Sequence, residues 1–245
     1  MQLLGLLGVV AFSLACAVVG VRLLRVAART RQAPELSMGL ALVSSGAIGF
    51  PLLISSQILA IRSGSSLTTH LLSAFGSVFT FLGYIGLVIG TWRIYRPAAQ
   101  WPRAVLAIAV LVVVGACATI FSTRDASPGG VREIALWAGV AVGISTFAWS
   151  AGESFALYGP MQRRARIGLV EPAVVNRILL WGIGSLAAFA MSGYGLLMRI
   201  VLGPVVSDGA RLISSALGMI AAVAMWLAFF PPAAYRRRMA RSAAV

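Results

Sequence analysis

Seven runs of about 20 apolar residues, joined by short arginine-bearing connections, set the limits on what this chain can fold into. They cover roughly residues 2–21, 37–60, 68–92, 104–122, 134–158, 178–202 and 212–232. A helix crosses the hydrocarbon core of a bilayer with about 20 such residues. The expected fold is therefore all-α, a polytopic integral membrane protein with seven transmembrane helices. No connection has room for a soluble domain, so residues 1–245 read as one transmembrane domain. Charged residues make up 11% of the chain, against about 25% in soluble domains. That balance excludes a disordered chain, a disulfide-rich secreted scaffold and a nucleic-acid-binding domain, each of which needs another composition.

The charge distribution orients the spans. The net charge is +14, and every basic side chain except His70 is an arginine. Alternate connections collect Arg22, Arg25, Arg29, Arg31, Arg93, Arg96, Arg103, Arg163, Arg164, Arg166, Arg177, Arg236, Arg237, Arg238 and Arg241 on one side. The other side receives Arg62, Arg124, Arg132, Arg199 and Arg211. The richer side is expected to be cytoplasmic, with the N-terminus outside and the C-terminus inside. Such a chain belongs in a cell inner (plasma) membrane of bacterial type, surrounded by lipid. Trp92, Tyr95, Trp101, Phe229, Phe230 and Tyr235 flank these connections and read as interface anchors, whereas Trp226 reads as packed inside the bundle. Ser13-Leu14-Ala15-Cys16 resembles a lipoprotein cleavage box. No basic segment precedes it and four arginines follow, so the first span is expected to be a retained helix.

Glycines recur at helical spacing (Gly46 and Gly49; Gly83, Gly86 and Gly90; Gly182 and Gly184; Gly193 and Gly195), as expected where backbones approach closely in lipid. Pro51 lies within span two and is expected to kink it. Pro172 fits a helix start, with Asn176 and Arg177 bonding the loop before it. The stretches Arg29-Thr30-Arg31-Gln32-Ala33-Pro34-Glu35 and Arg164-Ala165-Arg166 to Glu171-Pro172 echo one another, which hints at repeated units of three spans around span four.

Polar groups inside the spans are few and mark the candidate site. On span three, His70, Ser73, Ser77, Thr80 and Tyr84 share one face by their spacing, pointing to a cavity lining or a packing seam whose hydroxyls bond their own helix. On span five, Thr146, Trp149, Ser150 and Glu153 share a face, and Glu153 is the carboxylate expected inside an apolar run. Such a carboxyl is a proton or cation relay, a contact to a polar ligand, or a group held by Ser, Tyr or Arg neighbours. Span six aligns Ser185, Ser192 and Arg199. Arg199, Gln57 and His70 are expected near the outer surface, either as a shallow basic cup or simply in headgroup territory.

What is missing excludes much chemistry. One histidine and two distant cysteines, Cys16 and Cys117, supply neither a metal-hydrolase ligand set nor a pair of haem ligands, and an enzyme is the least expected class. In span number and orientation the chain resembles microbial rhodopsins and the PQ-loop or SWEET-like sugar carriers. The resemblance implies a seven-helix bundle, and no site residue carries over. Retinal is excluded as cofactor because its Schiff base needs a lysine; the Pro-Gln pairs of the carriers are replaced by Gln32-Ala33-Pro34 and Glu171-Pro172. No cofactor is expected. The expected function is a non-enzymatic, sensor- or receptor-like membrane protein that binds a small or lipidic ligand in the bundle and signals through its basic loops to a cytoplasmic partner. The alternatives are a small-solute or proton-coupled transporter using Glu153 with Pro51 as hinge, and a structural membrane subunit.

Overall fold

The computed structural model describes residues 2–64, 66–123, 129–202, 208–232 and 235. Among them the regular structure is helical throughout: α1 (Gln2–Thr30), α2 (Ala33–Ala41), a π-helical segment (Leu42–Gly49), α3 (Phe50–Ser63), α4 (Leu67–Tyr95), α5 (Trp101–Ser122), α6 (Val131–Arg166), α7 (Pro172–Leu202) and α8 (Asp208–Phe229). With α2, the π segment and α3 taken as one span, seven helices are long and apolar enough to cross a membrane. Large apolar side chains such as Leu111, Val114 and Ile200 stand exposed on the outside, a surface suited to lipid rather than water.

Most helices run further than their apolar windows. The α1 helix continues nine residues past the window edge at residue 21, and α6 continues to Arg166, so Arg22, Arg25, Arg29, Arg163 and Arg164 are helical. The hydropathy signal stops at the first arginine, but the helix does not, because arginine is a good helix former whose long side chain reaches outward. The connections shrink accordingly. Arg31, at φ 56°, turns the chain between α1 and α2 and donates its amide to the Ala27 carbonyl at 2.8 Å. After α6, Gly168 at φ 73° lets its own amide reach Ala165 O and the Leu169 amide reach Arg164 O, each at 3.0 Å. This pair of bonds is a Schellman stop.

Six of the spans close a ring. In order around it, α1 packs on span two, span two on α4, α4 on α6, α6 on α7, α7 on α8, and α8 returns to α1. The α5 helix stays outside, lodged against α4 and α6. The two halves of the ring are thus three consecutive spans each, joined by span four. Small residues set the spacing inside it. A Cβ at Gly83 would fall 2.4 Å from Ser45 Cβ, and the Phe81 and Tyr84 rings of α4 occupy the room left by Gly139 and Gly143 of α6. Gly46 faces Cys16, Gly49 faces Thr80, Gly86 faces Ser37, Gly90 faces Met38 and Gly182 faces Ser154. The pair Gly193 and Gly195 departs from expectation: among the described residues, no neighbouring atom lies within 4 Å of the position a Cβ would take at either.

Span two continues as helix through Pro51. The helix widens before it, with the Phe50 amide reaching back five residues to Ser45 O. Proline lacks an N–H and crowds the carbonyl four residues earlier, and a wider π turn accommodates both effects. Trp92 is only 8% exposed and packs within the bundle, whereas Trp226 is 44% exposed and stacks on Phe230 at 4.9 Å. Each lies on the opposite side of its helix from the one expected, because depth along a helix says nothing about which side faces the ring. Asn176 and Arg177 reach the chain around the end of α8 instead of the preceding loop. Tyr235 donates to Asn176 Oδ1 at 2.8 Å, and Arg177 donates to the Ala228 carbonyl at 3.3 Å. Arg22 donates to the Phe229 carbonyl and covers the Phe230 ring. Two cations therefore satisfy the last carbonyls of α8, where the helix dipole is negative.

Candidate functional site

At the centre of the ring, towards the arginine-rich end, lies a cavity of about 40 Å³. Every ring span contributes to its wall, represented by Cys16, Ser45, Tyr84, Phe147, Trp181 and Met225. That volume holds about three water-sized groups. The wall is mostly apolar and, among the described residues, contains no charged side chain. The polar residues lining it are Ser45, whose hydroxyl donates to Ala41 O at 2.6 Å, Tyr84, Trp181 and Ser185. The Tyr84 ring is fixed edge-on against Phe147 at 5.9 Å. Its hydroxyl has no hydrogen-bond partner among the described residues.

A chain of hydrogen bonds runs from this wall towards the arginine-rich end. Trp181 Nε1 donates to Ser150 Oγ at 2.9 Å, and Ser150 and Ser185 share a bond at 3.2 Å. One turn along α6, Ser154 donates to the Ser150 carbonyl at 2.7 Å and meets the Tyr95 hydroxyl at 2.7 Å. Ser150 and Ser154 are fully buried, so these bonds spare polar atoms that would otherwise lie unpaired among apolar groups. Beside them, Glu153 accepts from Arg96 Nε at 2.8 Å and from Trp149 Nε1 at 3.2 Å. The carboxylate side chain is 14% exposed and the guanidinium 53%. Glu153 thus sits near the mouth of the seam, next to the hydroxyl chain but outside the cavity wall.

A second carboxylate mirrors it. Glu133, one position before the apolar window of span five, accepts two bonds from Arg199, one of them from Nη2 at 2.7 Å. It also accepts from Trp137 Nε1 at 3.2 Å and from the Gly129 amide at 2.7 Å. In α6 the order Glu133, Trp137, Trp149, Glu153 places each indole four residues from its carboxylate, on the inner side. The two carboxylates are 20 residues apart in one helix, about 30 Å along its axis.

The structure separates the sequence-predicted residues into three groups. Tyr84 and Ser185 line the cavity, and Ser150 stands directly behind it. Ser77, Thr80 and Thr146 are buried on inward faces. Ser77 donates to Ser73 O at 2.8 Å and Thr146 to Val142 O at 2.6 Å, the back-bonded seam arrangement. Thr80 abuts Gly49 at the crossing with span two, and its hydroxyl has no partner among the described residues. The third group does not assemble into a cup. Gln57 is exposed on α3, whose neighbours among the described residues outside its own span are α4 and α1 and not α7; His70 is half-buried at the start of α4; Arg199 is held by Glu133. In place of that cup, Arg132 Nη2 donates to Ser73 Oγ at 3.1 Å, joining α6 to α4 at this end.

Sequence reasoning missed Glu133, Arg96, Trp181 and Ser154. Glu133 fell just outside an apolar window and Arg96 was absorbed into the charge count. The mirrored Glu and Trp spacing on α6 was the available signal. Among the described residues, no three His, Cys, Asp or Glu side chains come together as a metal site. Comparisons with protein families, with curated proteins and with solved structures found no match.

Proposed function

We propose that this protein is a non-enzymatic, sensor- or receptor-like component of a bacterial inner membrane, which takes a small ligand into the centre of its ring and passes occupancy to a cytoplasmic partner. The observation that carries this reading is the composition of the cavity wall. All six ring spans contribute to it, so a ligand there touches every helix whose position could signal. At 40 Å³ the cavity takes a small molecule and not an acyl chain, which narrows the ligand from the lipidic class. The arginine-rich end is the cytoplasmic one by the positive-inside rule, with the amino end exported. The Glu133 to Glu153 separation matches the hydrocarbon thickness of about 30 Å, which supports reading both carboxylates as interfacial. The hydroxyl chain from Trp181 to Tyr95 then links the cavity to the cytoplasmic surface. The test has two arms: ligand-induced change in unfolding of the purified protein in nanodiscs, and crosslinking in membranes at the arginine-rich end. A ligand whose addition changes capture of a cytoplasmic partner supports the reading. Neither ligand nor partner removes it and leaves a structural subunit.

A carrier is the second reading, and one arrangement favours it. Glu133 ties α6 to α7 at one end, while Glu153 ties α6 to α4 at the other. Two latches on different neighbours suit a bundle that opens at alternate ends, and the π segment before Pro51 offers a place for span two to change pitch. Solute flux into liposomes that persists unchanged in Glu153→Gln removes this carboxylate from the mechanism. No flux for any solute removes the carrier.

A further inference from the structure

The cavity also restricts its ligand by chemistry. We propose that the central cavity is a binding site for a small uncharged solute of about three heavy atoms carrying one hydrogen-bond acceptor, which takes the Tyr84 hydroxyl. This rests on the receptor reading above and names the ligand class for that same site.

Three features carry it. The size is set by the 40 Å³ volume, about a quarter of the 150 Å³ or so of an apolar cavity that holds benzene. The absence of charge follows from the wall, which among the described residues has no Arg, His, Asp or Glu; an ion there would lose its hydration with nothing to replace it. The acceptor follows from the hydrogen-bond inventory of the wall. Ser45 donates to its own helix, Trp181 donates to Ser150, and Ser185 shares its bond with Ser150. Tyr84 alone among these donors has no partner among the described residues, and its ring is held in place by Phe147 and by the floor at Gly143. A half-buried phenol held in this way rewards a carbonyl, ether or hydroxyl oxygen and gives nothing to a hydrocarbon of equal size. Short alcohols, ketones and amides satisfy all three conditions.

The full-length protein in micelles, labelled with 15N at tryptophan, provides the readout. The Trp181 indole resonance, assigned with Trp181→Phe, reports on the wall itself. Titration with ethanol, acetone and benzene is expected to shift this resonance saturably for the first two and not for benzene. Tyr84→Phe should weaken ethanol and acetone binding by roughly fivefold, the worth of one neutral hydrogen bond. Gly184→Val should abolish it, because a side chain at Gly184, whose Cβ position has its nearest neighbour at 3.6 Å, extends into the cavity without displacing backbone. Gly184→Ala, a smaller change, should bind more weakly than wild type. Benzene binding as well as ethanol, equal affinity in Tyr84→Phe, or no saturable shift with either small solute would each overturn the proposal. The two levels of inference fail separately. A partner captured with no response to any small solute leaves the receptor and removes this ligand class. A saturable Trp181 shift with no partner does the reverse.

Discussion

Gly83→Ala tests the packing that closes the ring. The added methyl would stand 2.4 Å from Ser45 Cβ and 2.8 Å from both the Ala41 carbonyl oxygen and the Ser45 amide nitrogen. Ordinary contact begins at 3.4 Å, so α4 and the π segment must separate by about 1 Å at this point. A gap of that size forfeits up to half the dispersion energy of each contact across it. None of the three obstacles is the far end of a flexible side chain, which places overpacking near the top of its range, about 2–3 kcal/mol. Alanine returns up to about 1 kcal/mol of helix propensity, leaving a net loss of about 1–2 kcal/mol. Gly115→Ala on α5 is the control, since nothing lies within 4 Å of its Cβ position and only the propensity gain remains. The two variants should therefore differ by about 2–3 kcal/mol in equilibrium unfolding at rising SDS fraction in mixed micelles. Equal stability within about 0.5 kcal/mol would refute the claim that close backbone approach at Gly83 holds the ring.

Ser150→Ala removes the acceptor of Trp181 and the partner of Ser185, and should cost about 1–3 kcal/mol in the same unfolding measurement. A loss within error would mean that the hydroxyl chain is ornamental. Glu133→Gln should destabilise more than Arg96→Gln, because Glu133 gathers bonds from Arg199, Trp137 and Gly129 while the Arg96 side chain is half-exposed; the reverse order in SDS unfolding would contradict this. For topology, an impermeant thiol reagent added to spheroplasts should label Gln100→Cys, in a Cys16→Ala, Cys117→Ala background, only after permeabilisation, and Gly64→Cys without it. Labelling of both from outside would overturn the proposed orientation.

The seven spans were legible because lipid imposes one requirement, a length of apolar helix, that a one-dimensional window can measure. The inward direction of Ser77, Thr80, Ser150 and Ser185 was legible for a related reason: polar groups shun lipid, and their spacing puts them on shared faces. Contacts between helices were not. Arg199 meets Glu133 across 66 positions and Tyr95 meets Ser154 across 59, pairings that depend on which helices are neighbours in the ring. Trp92 and Trp226 show the same limit, since the depth of each along its helix was readable and the side it faces was not.

What the amino-acid order determined by itself is the number of helices long and apolar enough to span a bilayer and the asymmetry of charge between alternate connections. The closed order of the ring, the exclusion of α5, the widened turn before Pro51 and the cavity at the centre were decided by tertiary packing. They follow from where small residues let backbones approach, a property of pairs of helices that no single helix carries.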